Sequence, residues 1–251
     1  MNDEFYIGWQ DQAPARTGRT VRRVVVMVII AALALGLAVA FSQRTIGRAV
    51  FEWGQVKEFT GVLRSSPVPH LLVAGSGTNK FTTHYLVNPW KFGFDPDLAR
   101  RFDGQQVTLR GTRIYRDHQN MIEVLPGSVA VSTNSPPPLA NQAAAPTSLG
   151  RQTFRGEIVD SKCFLGVMNP GQLKPHRACA VRCISGGVPP VLLVRQSDGS
   201  AQYLLLVSSA GQPVNKEVLS MVAEPVEITG EVQRQGELFV LRADPVTYRR
   251  R

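Results

Sequence analysis

Cysteine is scarce in this chain of 251 residues: there are three, and all of them lie within residues 163–183. No Cys-x-x-Cys-His pattern is present, which excludes covalent attachment of c-type haem. A converging set of nucleophile, base and acid is also lacking, so the sequence does not predict catalysis. The net charge is +9, but no folded segment concentrates it. We therefore expect no nucleic-acid partner.

One long apolar segment is present: residues 24–41 form a run of 18 residues without a charge or a proline. As a helix it would be about 27 Å long, close to the roughly 30 Å thickness of membrane hydrocarbon. Four arginines precede the run and two follow it. This bias predicts a single-pass inner-membrane protein with a cytoplasmic tail at 1–23 and a periplasmic C-terminal body.

The alternative to a membrane anchor is a cleaved signal peptide. Ala38, Val39 and Ala40 form an A-x-A pattern, so cleavage would follow Ala40. Arg22 and Arg23 before the apolar run also resemble, weakly, a twin-arginine export signal. Against cleavage stands the long N-terminal region, which contains an aromatic segment at 5–9. The sequence favours the uncleaved anchor and leaves both interpretations open.

The part of the chain beyond the apolar run contains an internal repeat. Three segments match in order: 59–61 with 154–156, 85–87 with 203–205, and 107–111 with 226–230. The repeat predicts two copies of one small β-rich unit, at 57–132 and 153–251. A connector at 42–56, with a short helix as one interpretation, precedes the first copy. A linker rich in proline and alanine, at 133–152, separates the copies.

Each copy has the same predicted order of elements: three strands, a helical stretch and two more strands joined by a polar turn. This is the order of the five-stranded OB-fold barrel. The predicted fold class is therefore mainly β, with two tandem OB-like small β-barrels on the far side of a single N-terminal transmembrane helix. A different small barrel or meander is the alternative.

The second copy contains an insert of roughly 25 residues that the first copy lacks, because the offset between matched segments grows from 95 to 118 or 119. The insert, 160–187, holds all three cysteines. Pro175 suits the first turn of a helix and Gly186 its end. On this helix His176, Cys179 and Cys183 would share one face, over which Cys163 can close.

Three cysteines and a histidine are a familiar set of zinc ligands. The sequence therefore predicts a metal site formed by Cys163, His176, Cys179 and Cys183. Cu⁺ would suit the same soft ligands, so zinc and copper both stand as the cofactor. Asp160 would orient His176 or the N-terminus of the helix.

Two other interpretations of the cysteines stand beside the metal site. In an oxidising compartment Cys163 could form a disulfide with Cys179 or Cys183, which would leave one thiol over. The third interpretation is a redox-active thiol, because a helical cysteine close to His176 can have a lowered pKa. The sequence does not separate the three.

The insert also resembles a known group of proteins. Its Asp-x-x-Cys start, His-x-x-Cys-Ala-x-x-Cys helix and Gly-Gly-x-Pro-Pro exit are similar to an uncharacterised family of bacterial exported domains, over 156–194. The resemblance implies export and a shared Cys/His site, without a reaction.

Together these features predict a membrane-anchored periplasmic accessory or assembly protein with a metal site, and they favour a non-enzymatic role over a catalytic one. Its expected partner is a protein in a membrane-bound or periplasmic redox complex. A thiol-redox enzyme and a disulfide-stapled interaction module are the alternatives.

Overall fold

The computed structural model describes residues 14–42, 49–75, 81–132, 145–196 and 200–251. Its first element is α1 (Ala15–Ser42), a helix of 28 residues. An 18-residue window of α1 has a mean hydropathy of 3.0, and no residue of the helix is buried. A helix of this length and composition is compatible with a single-pass anchor and with a signal sequence. The aromatic segment 5–9 lies outside the described residues.

The first barrel is built from β-strands and a short helix. In chain order its elements are β1 (Ala49–Arg64), β2 (His70–Ala74), β3 (Phe81–Val87), α2 (Pro96–Arg101), β4 (Gln106–Arg116), β5 (Gln119–Val124) and β6 (Ala130–Val131). The order around the ring is β1-β2-β3-β5-β4, and β1 closes it by pairing with β4. The β3–β5 pair is parallel.

The second barrel repeats this arrangement around the insert. Its elements are β7 (Thr147–Asp160), α3 (Leu173–Ser185), β8 (Pro190–Arg195), β9 (Ala201–Val207), β10 (Pro225–Gln235), β11 (Leu238–Arg242) and β12 (Arg249–Arg250). The ring order is β7-β8-β9-β11-β10, closed by β7–β10 pairing. In place of α2 it has a short 3₁₀ turn, Leu219–Met221. The predicted fold class, mainly β with two small five-stranded barrels, is confirmed.

Strand register tests the internal repeat directly. Gly61 pairs with Val107, and Gly156 pairs with Val226, which confirms the matches of the first and fourth strands. The third strand is different. Glu123 and Arg242 are equivalent, because they pair with Thr112 and Glu231, which directly follow the matched segments. The partner of Glu123 is Val87, and the partner of Arg242 is Val207. Tyr85 is therefore equivalent to Leu205. The sequence match of Tyr85 with Tyr203 was wrong by two residues.

The glycines of the repeat have a physical reason, because the chain passes very close to a neighbouring strand at each of them. A Cβ atom on Gly61 would lie 2.4 Å from the Leu72 carbonyl oxygen, and one on Gly156 would lie 2.4 Å from that of Leu193. Only glycine allows so close a backbone approach. The shared glycines therefore mark places where a neighbouring strand of each barrel leaves no room for a side chain.

Both barrels begin earlier in the chain than the sequence predicts. β1 starts at Ala49, inside the predicted connector 42–56, so residues 49–56 form a strand and the helical interpretation is wrong for them. β7 starts at Thr147, inside the predicted linker 133–152. Each extension pairs with the strand that closes its barrel, β4 or β10, and so gains ladder hydrogen bonds.

The two barrels pack against each other and form one compact unit, Arg48–Arg251. Each has its own apolar core, and a third buried cluster joins them. This shared cluster combines first-barrel side chains such as Ile114 and Met121 with second-barrel side chains such as Leu205 and Val240. Phe164 of the insert also lies in it. The insert is therefore part of the contact between the barrels.

Candidate metal centre

The insert leaves the second barrel at the end of β7 and returns at the start of β8, where Asp160 pairs with Pro190. It begins with a π-helical turn, Cys163–Val167, and continues into α3. The side chain of Glu157 accepts a hydrogen bond from the backbone N–H of Leu173 at the start of α3. Gly187, with φ of +98°, follows the end of the helix. The predicted helix and its glycine end are present as expected.

The three cysteine sulfurs converge at one point. Cys163 Sγ lies 3.8 Å from Cys179 Sγ and 3.9 Å from Cys183 Sγ, and all three lie within 4.8 Å of one another. Thiolates that bind a tetrahedral zinc ion at about 2.3 Å are about 3.8 Å apart. The sulfur spacing therefore suits a shared soft metal ion.

The same distances bear on the disulfide interpretation. The three cysteines are unpaired, and a disulfide requires sulfurs about 2.05 Å apart. Sulfurs separated by 3.8 and 3.9 Å are in contact without being bonded. The arrangement therefore gives no support to a disulfide in this form of the protein.

Asp160 connects two of the predicted metal-site residues. Its Oδ2 lies 3.0 Å from Nε2 of His176, and its Oδ1 accepts a hydrogen bond of 2.7 Å from the backbone N–H of Cys163. Asp160 and His176 are both buried. Of the two partners predicted for Asp160, His176 is the one it contacts, because the N-terminus of α3 is taken by Glu157.

The predicted four-ligand set is thus divided between two overlapping groups. One group contains Cys163, Cys179 and Cys183; the other contains Asp160, Cys163 and His176. Cys163 belongs to both. The structure brings the three sulfurs together, and it places the His176 ring beside Cys163 and against Asp160. Each group has the atom types and spacing to hold a metal ion.

Hydrogen bonding between Cys163 and Cys183 makes their thiols unequal. The hydrogen bond and burial raise the pKa of Cys163, whereas the same hydrogen bond lowers the pKa of Cys183. Within this pair, Cys183 therefore ionises first. The thiolate is the form that binds metal ions and attacks electrophiles. The lowered pKa of Cys183 therefore favours both metal binding and nucleophilic attack by this sulfur.

Sequence reasoning missed two lysines at this site. Lys91, from the connection after β3, places its Nζ 2.8 Å from Cys179 Sγ and 3.9 Å from Cys183 Sγ. The contact with Cys179 raises the pKa of Lys91. Lys162, directly before Cys163, is buried between the barrels. Its position beside a predicted ligand was the only sequence signal, and Lys91 gave none because it lies in the other barrel.

No protein-family model matches the chain, and no curated protein is significantly similar to it. The resemblance of 156–194 to exported bacterial domains therefore stays a prediction, and the function must be argued from the geometry of the site.

Proposed function

We propose that this chain is a membrane-anchored protein that binds one soft metal ion, Zn²⁺ or Cu⁺, through Cys163, Cys179 and Cys183. The convergence of three unpaired sulfurs at metal-sharing distances carries the proposal. His176 is the candidate fourth ligand, because a nitrogen of its ring lies within 4.8 Å of the Cys163 sulfur. Asp160 would hold that ring in place, as carboxylates commonly do for metal-binding histidines.

The proposed location is the inner membrane, with a cytoplasmic N-terminus and periplasmic barrels. The length and apolar composition of α1 support an anchor. The excess of arginine before the apolar run supports the orientation. Export would also place the cysteines in an oxidising compartment, where a bound metal ion protects thiols from oxidation.

The proposed role is that of a non-enzymatic accessory or assembly protein for a membrane-bound or periplasmic redox complex. Small barrels of this type commonly bind ligands through their loops, and here the metal-binding residues lie in such a loop. A tethered binding module with a soft-metal site suits metal handling beside a membrane complex.

Metal analysis of the purified full-length protein, together with thiol counting under native conditions, tests the proposal. We expect one equivalent of zinc or copper per chain and three thiols that become reactive only after chelation. Absence of both metals from a folded protein that also fails to bind them when they are added would overturn it. The metal recovered also decides between zinc and copper.

A thiol-redox activity is the second candidate, and the surroundings of Cys179 favour it. Cys179 is partly exposed, with the Lys91 ammonium 2.8 Å from its sulfur. The hydrogen bond from Cys163 and the Lys91 charge lower the pKa of the neighbouring Cys183. In this case a metal-free protein would contain a thiol that alkylates rapidly below pH 7, and Cys179→Ser or Cys183→Ser would remove that reaction.

A further inference from the structure

The loop at 88–93 of the first barrel lies directly on the insert of the second. The backbone N–H of Gly93 donates a hydrogen bond of 2.9 Å to the carbonyl of Gly186. A Cβ atom on Gly93 would lie 2.1 Å from the Gly187 carbonyl oxygen, and one on Gly186 would lie 2.0 Å from that of Lys91. The two backbones are therefore in contact, and glycine is required on both sides.

A buried lysine of the insert fastens this loop. The Lys162 side chain is 2% exposed, and its Nζ donates to the carbonyl oxygens of Asn88 at 2.9 Å and Trp90 at 2.6 Å. It also forms an ion pair of 2.5 Å with Glu123 of β5. Losing the partners of a buried cation costs much free energy. The contacts of Lys162 therefore hold the loop in place against the insert.

The loop in turn delivers Lys91 to the cysteines. Its ammonium contacts Cys179, the one cysteine of the three that is partly exposed, and lies farther from Cys183. The lysine thus lies on the solvent side of the cluster, at the edge formed by the two sulfurs of α3. Each barrel thus places one lysine against the other: Lys162 of the second barrel contacts the first, and Lys91 of the first barrel contacts a cysteine of the second.

A positive charge at this edge would offset the net negative charge of a metal ion bound by three thiolates. Three thiolates and a Zn²⁺ ion sum to a charge of −1, and with Cu⁺ the sum is −2. An N–H donor beside a thiolate sulfur stabilises the charged form and leaves other lone pairs of the sulfur for the metal. Groups that hold a ligand in this way typically contribute about 10–100-fold to metal affinity.

We propose that Lys91 is a positioning residue of the metal centre, and that the first barrel completes a site whose ligands all lie in the second barrel. The inference rests on the proposed metal-binding function and extends it. It also gives a role to the first barrel, which has no cysteine of its own. That barrel supplies the Lys91 hydrogen-bond donor, and its loop at 88–93 covers one side of the centre.

The test compares Lys91→Met and Lys91→Arg with the wild-type protein in zinc competition against a chromogenic chelator. Lys57→Met is the control, because Lys57 is a first-barrel lysine that pairs with Glu52 at the surface. We expect Lys91→Met to bind zinc about 10–100-fold more weakly. Lys91→Arg should restore most of the affinity, and the control should match wild type.

Cobalt substitution supplies a readout that a merely structural role would not change. Loss of the N–H donor should shift the thiolate-to-cobalt charge-transfer band of Lys91→Met, while Lys91→Arg and the control keep the wild-type position. Gly93→Ala provides a second route, because its new Cβ atom forces the loop away while Lys91 remains. It should weaken zinc binding in the same direction as Lys91→Met.

The outcomes separate the two proposals. Tight zinc binding by wild type, with equal affinity and an unshifted cobalt band in Lys91→Met, overturns the role of Lys91 and leaves the metal site standing. A wild-type protein that binds neither zinc nor copper overturns the metal site, and the role of Lys91 with it. A weakened and spectrally shifted Lys91→Met beside a normal control supports both.

Discussion

The two barrels share a strand order but differ in the connection between their first two strands. In the first barrel, Arg64 pairs with His70 and only residues 65–69 lie between them. In the second, the equivalent connection contains the whole cysteine insert, between Asp160 and Pro190. The candidate metal-binding residues therefore lie in one connection, and the strand pairing of the barrel around it is the same as in the first barrel. The strand order of the second barrel is thus the same with the insert as that of the first barrel without it, although the insert also takes part in the contact between the barrels.

The barrels also differ in the polarity of their second and third strands. His70 and His84 occupy the places that Val191 and Leu204 hold in the second barrel, as the strand registers show. Both histidines are buried, and burial lowers the pKa of each to about 4. The first barrel thus contains titratable groups where the second has aliphatic side chains, although it lacks the cysteines.

The largest expected effect tests the chemical side of this comparison. Cys183→Ser removes a sulfur from the cluster, so zinc affinity should fall by more than the roughly 100-fold that changes around a metal site produce. Zinc should also stop raising the melting temperature, because only a bound ion stabilises the folded state. Competition titration and thermal denaturation measure both.

Met168→Leu is the matched control for Cys183→Ser. Met168 is the sulfur-bearing side chain of the insert that is not a cysteine, and it is 44% exposed. Its replacement should leave zinc affinity unchanged. If Cys183→Ser bound zinc as tightly as the control, the difference between the barrels would not lie in a cysteine metal site.

The next effect concerns acid stability. Because the pKa of each histidine is about 4 in the folded protein, against 6.5 ordinarily, the unfolded chain binds more protons between these values. The contribution of each neutral histidine is complete above pH 6.5 and is lost as the pH falls towards 4. The loss is on the order of 3 kcal/mol per histidine.

Exchanging both residues for those of the second barrel, His70→Val with His84→Leu, should remove this part of the acid sensitivity. Urea unfolding from pH 7 to pH 4, with a chelator present to keep the cysteines metal-free, compares the variant with wild type. Equal pH slopes in the two proteins would contradict the buried neutral state of the histidines.

The smallest effect tests the likeness of the barrels. A Cβ atom on Gly111 would lie 2.4 Å from the Glu123 carbonyl oxygen, and one on the equivalent Gly230 would lie 2.4 Å from that of Arg242. Each glycine-to-alanine change should lower the free energy of unfolding by about 1–3 kcal/mol. Chemical denaturation of the two variants should give similar losses. A marked loss in one barrel only would show that their closure differs.

Much of the fold can be predicted from the sequence because the two barrels have glycines at equivalent positions of their strands. Gly61 and Gly156 fixed the alignment of the copies correctly, since both are required by close strand contacts. The sequence misaligns the third strands because their shared tyrosine is a poor marker of register: an aromatic residue can occupy several positions on such a strand. The start of β1 was missed because local sequence does not reveal pairing with a strand roughly 60 residues away in the chain.

The candidate site was predicted in its local part and missed in its long-range part. Helical spacing correctly placed Cys179 and Cys183 on the side of α3 that Cys163 approaches. The same spacing placed His176 beside them, and the expected partner of its ring, the Asp160 carboxylate, lies 3.0 Å from Nε2. Lys91 could not be predicted, because its contact with Cys179 depends on how two separate barrels pack.

The pairing of Asp160 with Pro190 has a consequence for how the chain can be altered. A segment whose two ends pair with each other on one rung of a ladder can change in length without moving either strand of that pair. In the other half of the chain, the last rung of the corresponding strand pair, Arg64 with His70, offers the same opportunity. A protein engineer could therefore graft a binding cassette at that rung while the host barrel remains intact.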